Sequence, residues 1–258
     1  VEKVARAKVQ RLCFQPLYTP MQSHRQESNG LGSSMKVLVA CEYSGRVRDA
    51  FIRAGHDAIS CDLLPSDSDF GPHYEGDVFD LDLASFDLMI AHPPCTFITG
   101  AAEWAFDDVP MIQGKVRNIK PGTLIGEKRR VARTDALQFV QDLWNAPVDK
   151  ICIENPVGVI TSRIPEMGKP QYIQQYWFGE DASKKTGLWL KNLPGLQKTN
   201  EIQPRVINGK KRWGNQTDSG QNKLPPSADR WKIRSTTPQG IADAMAAQWV
   251  GELLEAVA

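Results

Sequence analysis

A cysteine follows two consecutive prolines in the middle of the chain, directly after a short apolar run. The run Asp87–Ala91 predicts a buried strand, and Pro93 and Pro94 must end it because proline donates no ladder hydrogen bond. Cys95 is therefore expected at the carboxyl end of a strand, where open α/β sheets place ligands. An isolated cysteine there is more often a small buried thiol, whereas a thiolate in that place could act as a nucleophile.

A carboxyl group follows another apolar run that predicts a strand. Ile151–Ile153 forms this run, and Glu154, Asn155 and Pro156 come directly after it. Because the carboxyl ends of parallel strands meet at one edge of a sheet, Glu154 is expected near Cys95. Glu-Asn-Pro alone could be a simple exit from a strand into a turn. Its pairing with Pro-Pro-Cys favours a site that combines a thiol with a carboxyl group.

The chain ahead of these motifs predicts a nucleoside pocket. Met35–Cys41 predicts a buried first strand, and it leads through a turn containing Gly45 into a helix. Asp62 ends the second predicted strand, where such folds hold ribose hydroxyls, and Gly76–Phe79 is a third candidate with Asp77 at a turn. Each acid alone is more often a turn or cap residue. Two acids after successive strands favour the pocket, although the G-x-G-x-x-G fingerprint of dinucleotide-binding folds is absent.

The composition predicts one globular domain with modest additions. The chain has 258 residues, of which 41% are hydrophobic and 24% are charged. A formal net charge of +1 provides no global field for a polyanion, so nucleic acid would have to bind to local basic patches. The odd number of five cysteines favours reduced thiols in a cytoplasmic protein. No metal is expected, because no His/Cys cluster has ligand spacing, and no apolar run approaches the roughly 20 residues of a membrane span.

Two segments differ from the rest of the predicted domain. Residues 1–34 mix basic, polar and small side chains without periodicity and predict a disordered leader, with Met35 as the natural start. A segment as long as Phe97–Gly126, directly after Cys95, is usually functional or disordered, and here it could be a lid. Glu127–Trp144 predicts a helix. Its start carries three arginines that could bind phosphates or belong to a solvated helix face, namely Arg129, Arg130 and Arg133.

The order of these motifs resembles the cytosine-5 DNA methyltransferases. Members of that family carry Pro-Pro-Cys after one strand and a Glu-Asn pair after the next, here Pro93-Pro94-Cys95 and Glu154-Asn155. The turn Tyr43-Ser44-Gly45 is similar to the family's Phe-x-Gly turn, which faces S-adenosylmethionine. The resemblance covers about Met35–Leu196 and the last helix. The chain looks especially like the compact methyltransferase-like proteins of phage and metagenomic sequences.

This resemblance implies an α/β fold of the Rossmann-like, S-adenosylmethionine-dependent methyltransferase kind, in which a mostly parallel sheet carries helices on both faces. It divides the chain into a catalytic domain at residues 35–190, a small basic recognition region at 191–234 and a C-terminal helix at 235–258 that packs back on the catalytic domain. The resemblance also implies the residues of the cofactor pocket. These are Tyr43, Ser44, Gly45, Asp62, Asp77 and Pro93, and we also assign Arg234 and Ser235 to the pocket because they stand in place of the family's late turn near the cofactor.

The chemistry that the resemblance implies is transfer of a methyl group to cytosine in DNA. The Cys95 thiolate adds to carbon 6 of the base, which makes carbon 5 nucleophilic toward the sulfonium methyl group. Glu154 hydrogen-bonds the ring and neutralises the charge that thiolate attack builds up, Asn155 positions that loop, and Pro94 belongs to the same site. The base is flipped out of duplex DNA, and RNA remains an alternative substrate.

Several positions depart from the family pattern. Thr96 stands where glutamine usually follows the nucleophile, and the family's Gln-x-Arg-x-Arg strand has no match. The short recognition region predicts a short or loose sequence preference, because few side chains can reach base edges. Basic residues interleaved with Trp213 and Trp231 suit a nucleic-acid surface, and a monomer is expected. The predicted nucleic-acid contacts are Lys184, Lys185, Lys210, Lys211, Arg212, Arg230 and Lys232.

Arg234 raises a second hypothesis about the transferred group. The family's late Gly-Asn turn is replaced by Arg234–Pro238, and a cation has no use beside a plain methyl group. It would suit a carboxylate, as in carboxy-S-adenosylmethionine, and the product would be 5-carboxymethylcytosine. Methyl transfer is the preferred hypothesis, and Arg234 could equally contact a phosphate. A catalytically silent nucleic-acid-binding relative is a further alternative, which the intact Cys95 and Glu154 disfavour.

Overall fold

The structure is a computed structural model that describes residues 34–100, 102–227 and 229–251. Apart from Ser34, the predicted leader lies outside the described residues, and so does the end of the predicted C-terminal helix, residues 252–258. No helix within the described ranges is long and apolar enough to cross a membrane. No group of His, Cys, Asp and Glu side chains in those same ranges could hold a metal ion.

A seven-stranded, mostly parallel sheet forms the centre of the described chain. The strands are, in chain order, Lys36–Ala40 (β1), Asp57–Asp62 (β2), His73–Glu75 (β3), Leu88–Ala91 (β4), Met111–Ile112 (β5), Lys115–Val116 (β6), Lys150–Pro156 (β7), Gln171–Gln174 (β8), Lys185–Lys191 (β9), Arg205–Ile207 (β10) and Lys210–Arg212 (β11). The central sheet has the order β3-β2-β1-β4-β7-β9-β8, and only β9 runs antiparallel to its neighbours within this described sheet. This topology confirms the predicted Rossmann-like α/β fold.

Helices cover both faces of the sheet. The α-helices of the described ranges are Arg46–Arg53 (α1), Gly126–Trp144 (α2), Ile160–Arg163 (α3), Arg230–Ser235 (α4) and Gln239–Gly251 (α5). Val39 of β1 belongs to one buried cluster with Phe51 of α1 and Met245 of α5. The next residue back, Leu38, belongs to the opposite cluster with Leu143 of α2. Successive side chains of a strand point to opposite faces, and this alternation therefore buries apolar residues on both sides.

The strand register brings four polar residues to one edge of the sheet. Ala40 of β1 is aligned with Cys61 of β2 and with Ala91 of β4. Ala91 is in turn aligned with Ile153 of β7. The residues that directly follow these four positions are Cys41, Asp62, His92 and Glu154. The carboxyl edge of the sheet therefore carries a thiol, two carboxyl groups and an imidazole side by side.

Gly76–Phe79 is not the third strand that the sequence predicts. The strand next to β2 is β3, and the chain after it turns into a 3-10 helix at Val78–Asp80. Asp77 caps that helix, because its carboxylate accepts a hydrogen bond from the Phe79 N–H at 3.0 Å. An acidic side chain that bonds to the backbone two residues further on favours such a turn over a strand.

The predicted lid segment is folded onto α2. It contains the 3-10 helix Glu103–Phe106 and the hairpin of β5 and β6. Arg133 of α2 donates a hydrogen bond to the Phe97 carbonyl at 2.7 Å. Arg130 donates to the Phe106 carbonyl, also at 2.7 Å. These contacts anchor the first part of the segment to the body of the domain.

The arginines at the start of α2 make contacts within the chain, and Arg129 and Arg133 do not form the solvated helix face that one interpretation predicts, whereas the Arg130 side chain is 42% exposed. Arg129 is only 5% exposed, and its guanidinium lies over the rings of Phe97 and Phe106, at 5.3 and 4.8 Å from their centroids. Arg130 and Arg133 are paired with acidic side chains of the lid segment. A phosphate would have to displace contacts that the chain already makes, so these side chains hold the lid segment instead.

The predicted recognition region contains a two-stranded ribbon, β10 and β11, and the short helix α4. Trp213, directly after the ribbon, is 8% exposed and stacks on Tyr176 with ring centroids 4.2 Å apart. The expectation that Trp213 contributes to a nucleic-acid surface is therefore wrong, because its ring is buried in a packing contact. Trp231 of α4, by contrast, is 50% exposed.

Candidate active site

His92 and Glu154 form a hydrogen-bonded pair at the carboxyl edge of the sheet. The Nδ1 atom of His92 lies 2.8 Å from Oε2 of Glu154, and the two side chains are 9% and 15% exposed. The pair follows from the register, because the two residues directly follow the aligned residues Ala91 and Ile153. The backbone N–H of His92 also donates to the Ala40 carbonyl at 2.9 Å, which fixes it between β1 and β7.

Each member of this pair shifts the pKa of the other. Burial lowers the pKa of His92, but the hydrogen bond and the negative charge of Glu154 outweigh it and raise that pKa above its ordinary value. Burial raises the pKa of Glu154, but the hydrogen bond and charge of His92, together with the charge of Lys184, bring it below its ordinary value. The free protein therefore favours an imidazolium ion next to a carboxylate.

Cys95 lies on the loop after β4 and is exposed as a residue. Desolvation of its thiol nevertheless raises the pKa of Cys95 above the ordinary value, and the charge of Glu154 acts in the same direction. The positive charges of Lys184 and Arg234 oppose this and lower the pKa. The thiol form is therefore favoured at neutral pH, and the two cations are the groups that promote the nucleophilic thiolate.

Asn155 connects the end of β7 to the prolines before Cys95. Its side chain is 1% exposed, and Nδ2 donates a hydrogen bond to the Pro93 carbonyl at 2.8 Å. Its Oδ1 atom is buried and has no hydrogen-bond partner among the described residues. Asn155 directly follows Glu154, and Pro93 precedes Cys95 by two residues. This bond therefore sets the thiol loop relative to the carboxyl group.

Gly158 permits a second close contact with the same loop. The Val159 N–H donates to the Ile98 carbonyl at 2.8 Å, and Gly158 pairs with Thr99 in an isolated bridge. A β-carbon on Gly158 would collide with the Ile98 carbonyl oxygen and would lie 2.8 Å from the Cα atom of Thr99. Glycine is therefore the residue that lets the Cys95 loop approach this closely.

Two neighbouring cavities lie beside the His92–Glu154 pair. We call the first the Glu154 cavity, and its lining residues are Glu154, Ile173, Gln175, Lys184, Thr186, Ser235, Thr237, Pro238 and Ile241. We call the second the Tyr43 cavity, and its lining residues are Cys41, Glu42, Tyr43, Ser44, His92, Ser235 and Thr237. Ser235 and Thr237 belong to both linings, and the His92–Glu154 hydrogen bond joins one cavity wall to the other.

The Tyr43 cavity lies where the strand order of the sheet reverses. Strand β1 has β2 on one side and β4 on the other, and open α/β sheets bind ligands in the crevice at such a point. Cys41 follows β1, His92 follows β4, and both line the cavity. The Tyr43 hydroxyl lies 3.0 Å from Oγ of Ser235 and 3.1 Å from the Lys232 carbonyl, to which it can donate. Helix α4 therefore packs against this cavity.

Glu42 occupies the amino terminus of α1. Its buried carboxylate accepts hydrogen bonds from the Val47 N–H at 2.8 Å and the Arg48 N–H at 3.3 Å. The Ser44 hydroxyl donates to the same carboxylate at 3.1 Å. Helix amino termini attract anions, but here the chain's own carboxylate fills that place. A negatively charged part of a ligand would therefore have to bind elsewhere in the cavity.

The structure brings only some of the predicted cofactor residues together. Tyr43, Ser44 and Ser235 line the Tyr43 cavity. Asp62 and Asp77 do not line it, and each accepts a hydrogen bond from a backbone N–H two residues further on. Burial raises the pKa of Asp62. The predicted residues that are also outside this lining are Gly45, Pro93 and Arg234.

Three of the predicted nucleic-acid contacts are engaged close to the two cavities. Lys184 lines the Glu154 cavity, and its Nζ atom donates to the Arg234 carbonyl at 2.9 Å. Lys185 lies over a tyrosine ring, with Nζ 4.1 Å from the ring centroid. Lys232 pairs with Asp67 at 3.3 Å. Lys184 is therefore part of the site itself.

The other predicted contacts lie in the recognition region. Lys210 and Lys211 are exposed on β11. Arg212 is less exposed, and its Nε atom donates to the Asp218 carbonyl at 3.0 Å. Arg230 is half-buried at the start of α4. Lys210 and Lys211 are therefore the most accessible of these cations to a polyanion.

Sequence reasoning gave no role to His92, Glu42 or Thr237. A signal was available, since His92 and Glu154 hold the same position after two predicted strands that both lead to the site. Glu42 and Thr237 lie in loops, and their arrival at the cavity depends on tertiary packing that no local pattern encodes.

Comparisons with known proteins give structural similarity at low identity. No family model matches the sequence, and no curated protein matches it. One similar solved structure is described as a DNA modification methyltransferase encoded within an E. coli prophage, with 14% identity, coverage of 68% of this chain and 54% of that chain, and a TM-score of 0.41. A Spodoptera frugiperda DNMT2 mutant has 15% identity, coverages of 69% and 57% and a TM-score of 0.36. The S. pombe Dnmt2 methyltransferase has 16% identity, coverages of 62% and 50% and a TM-score of 0.33. The chain spans little more than half the length of these structures.

Proposed function

We propose that this chain is an S-adenosylmethionine-dependent DNA cytosine-5 methyltransferase that acts through a covalent adduct on Cys95. The observation that carries the proposal is the 2.8 Å hydrogen bond between Asn155 and the Pro93 carbonyl, which ties the loop of the thiol to the strand of Glu154. The Tyr43 cavity adjoins this arrangement at the reversal point of the sheet. A nucleophile, a proton donor for the ring and a neighbouring ligand cavity are the parts that the reaction requires.

The Tyr43 cavity offers groups that fit the cofactor. Tyr43 contributes an aromatic ring, Ser44 and Ser235 contribute hydroxyl groups, and Nε2 of His92 is buried without a hydrogen-bond partner in the described chain. The carboxylate of Glu42 favours a cationic group, such as a sulfonium, in its vicinity. S-adenosylmethionine would supply an electrophilic methyl group when it is bound there.

Cys95 starts the reaction once the flipped base lies within reach of its thiolate. A bond forms between Sγ and carbon 6, the double bond between carbons 5 and 6 opens, and Glu154 hydrogen-bonds N3 and the exocyclic amine while N3 gains a proton. Carbon 5 would then take the methyl group, whose bond to the sulfonium sulfur breaks and leaves a neutral thioether. After the carbon-5 proton passes to solvent, the bond to Cys95 breaks, N3 gives back its proton and the ring double bond forms again.

Lys184 supports the thiolate in this scheme. It lines the Glu154 cavity, and its positive charge lowers the pKa of the Cys95 thiol. A base bound between Cys95 and Glu154 would therefore lie close to this ammonium group. We assign to Lys184 the supporting role that the absent Gln-x-Arg-x-Arg strand has in the family that the sequence resembles.

DNA is the proposed substrate, and recognition is assigned to residues 191–234. The exposed Lys210 and Lys211 lie on a ribbon that projects their charges to solvent, which suits phosphate contacts. The catalytic part of this proposal is residues 35–190, and helix α5 packs its buried face on the same domain through Met245 and Trp249.

Arg234 supports a second candidate, transfer of a carboxymethyl group from carboxy-S-adenosylmethionine. Its positive charge acts on Cys95, and it precedes Ser235, which lines both cavities. A guanidinium whose charge acts on the thiol would stabilise a carboxylate on the transferred carbon. A phosphate contact is the other role open to Arg234.

Nucleoside mass spectrometry of DNA incubated with the protein tests both candidates. Parallel reactions contain either donor, with Cys95→Ala as the inactive variant and Thr96→Ala as a matched control on the same loop. A gain of one methyl group on cytidine, lost only in the Cys95 variant, is the expected result. A carboxymethyl gain that Arg234→Ala abolishes supports the second candidate. No product from either donor, on DNA or RNA, would contradict both and favour a silent nucleic-acid-binding protein.

A covalent trap tests the mechanism directly. DNA that contains 5-fluorocytosine should form a stable adduct, because fluorine cannot leave carbon 5 as a proton does. Intact-mass analysis is expected to show protein joined to DNA in the presence of S-adenosylmethionine, with the link mapped to Cys95. Methylated product without any adduct would show that the thiol is not the nucleophile.

A further inference from the structure

The central sheet fixes the positions of both residues of the His92–Glu154 pair. His92 is held by its own backbone bond to Ala40, and Glu154 lies within β7, so both positions are fixed by the sheet. The two side chains are almost fully buried, and their 2.8 Å contact joins a lining residue of the Glu154 cavity to a lining residue of the Tyr43 cavity. A buried imidazole and carboxylate at this distance share one proton between them.

The titratable and charged groups that face the pair lie on four segments of the fold. Glu42, on the turn after β1, favours the imidazolium form of His92, and Glu154 on β7 favours it through both charge and hydrogen bond. Lys184, just before β9, opposes a charge on His92 and favours a carboxylate on Glu154. On the loop after β4, Cys95 is itself influenced by Glu154, Lys184 and Arg234. The pair therefore holds its single proton mainly on the imidazole.

This distribution conflicts with a simple role for Glu154. A carboxylate can accept a hydrogen bond from the exocyclic amine of cytosine. It has no proton, however, to give to N3 when the thiolate attacks. The proton must then come from a neighbour of the carboxylate. In the described chain, His92 is the group bonded to it.

We propose that His92 is a positioning residue that stores the proton which Glu154 delivers to the base, an inference that rests on the proposed function. As the bond between Sγ of Cys95 and carbon 6 forms, the proton leaves Nδ1 of His92 for the Glu154 carboxylate, and N3 takes a proton from that carboxyl group. His92 becomes neutral. The proton on N3 cancels the negative charge that the thiolate brings to the base when it adds. When the bond to Cys95 breaks, the proton returns by the same route, so the cycle consumes no added acid.

His92 also lines the Tyr43 cavity, and its Nε2 atom is buried without a hydrogen-bond partner in the described chain. The same ring therefore lines the Tyr43 cavity and is hydrogen-bonded to Glu154, which lines the other cavity. A ligand in the Tyr43 cavity that accepts a hydrogen bond from Nε2 would stabilise the imidazolium form of His92. Binding of such a ligand would therefore ensure that His92 is protonated before the base reacts. Addition of S-adenosylhomocysteine is accordingly expected to move the His92 ring signals.

The first test measures the pair without any substrate. Nitrogen-15 NMR titration of the imidazole signals, with His92→Asn to assign them, should show a pKa for His92 above that of an ordinary histidine. Glu154→Gln should lower this pKa, because the partner charge is lost, and Lys184→Gln should raise it, because an opposing charge is lost. A His92 pKa that does not respond to Glu154→Gln would overturn the proposal.

The second test measures the proton's use in the reaction. His92→Asn can still donate a hydrogen bond to Glu154 but cannot ionise, and His92→Gln serves as a second variant if the first folds poorly. Single-turnover rates on DNA should fall about 10²–10⁴-fold with DNA affinity unchanged. The wild-type rate should fall at high pH as the pair loses its proton, and this decline should be absent in the variant.

The outcomes separate the inference from the proposed function. If wild-type protein makes product and His92→Asn matches its rate and pH profile, His92 has a structural role only and the inference is wrong. If wild-type protein makes no product with any donor or nucleic acid, the proposed function is wrong. The role of His92 in that reaction is then wrong as well. The NMR titration still decides in that case whether the shared proton exists.

Discussion

The Cys95 thiol is poised between groups that raise and groups that lower its pKa. Desolvation raises the pKa above its ordinary value, Glu154 adds to this, and Lys184 and Arg234 oppose it. The thiolate fraction therefore increases with pH through the alkaline range, and the rate of reaction with a small alkylating reagent should increase with it. The neighbouring ammonium group of Lys184 is the opposing charge that a single substitution removes most simply.

Replacement of Lys184 by glutamine is expected to raise the pKa of Cys95 further and so slow its alkylation. Rates with iodoacetamide between pH 7 and 9, followed on the Cys95 peptide by mass spectrometry, should fall roughly two- to tenfold, since one pKa unit corresponds to tenfold less thiolate. Lys185→Gln is the matched control, because Lys185 is adjacent in sequence but lies over the Tyr172 ring. Equal slowing in both variants would contradict a direct effect of Lys184.

At the scale of elements, the Cys95 loop and the end of β7 behave as one unit. The Asn155 bond to Pro93 and the contact between Gly158 and Ile98 hold the two segments together at two points. Catalysis by a nucleophile and a carboxyl group on different elements depends on this spacing. A shift of about 1 Å in such a group can lower a rate about 10²-fold.

Gly158→Ala tests this coupling. The new β-carbon would collide with the Ile98 carbonyl, so the loop must move, and we expect about a 10²-fold loss of rate with a loss of about 1–3 kcal/mol in the free energy of unfolding. The measurements are single-turnover kinetics and urea denaturation. Gly100→Ala is the control, because a β-carbon there meets nothing within 4 Å. Wild-type activity in Gly158→Ala would show that the loop tolerates displacement.

The element scale also shows where sequence reasoning reached its limit. The predicted strands before Cys95 and Glu154 and the helix at 127–144 were found because buried strands and helices carry clear apolar patterns. Arg129 and Arg133 were misinterpreted because their partners, Phe97 and Glu103, lie about thirty residues away in the chain. A contact at that separation leaves no local periodicity.

At the scale of the whole molecule, the predicted fold is confirmed while much of the site required the structure. The sequence predicts that Cys95 and Glu154 follow strands, whereas β7 continues through Glu154 to Pro156. The register of β4 and β7 decides that His92 is the residue bonded to Glu154. In the same way, Trp213 and Trp231 both lie next to basic residues in the sequence, yet one is buried against Tyr176 and the other is half-exposed. Burial is a property of the assembled fold rather than of the local sequence.

The net charge of +1 makes the salt dependence of DNA binding a test of where the contacts lie. A nearly neutral protein lacks a global field, so the slope of log Kd against log salt concentration reports the few phosphates that local cations neutralise. Lys210→Gln and Lys211→Gln should each reduce the magnitude of that slope by about 1 and weaken binding similarly for all sequences. Lys169→Gln removes the same charge from an exposed lysine outside residues 191–234 and should leave the slope unchanged. An equal effect of all three variants would show that binding follows net charge and that the β11 lysines are not specific phosphate contacts.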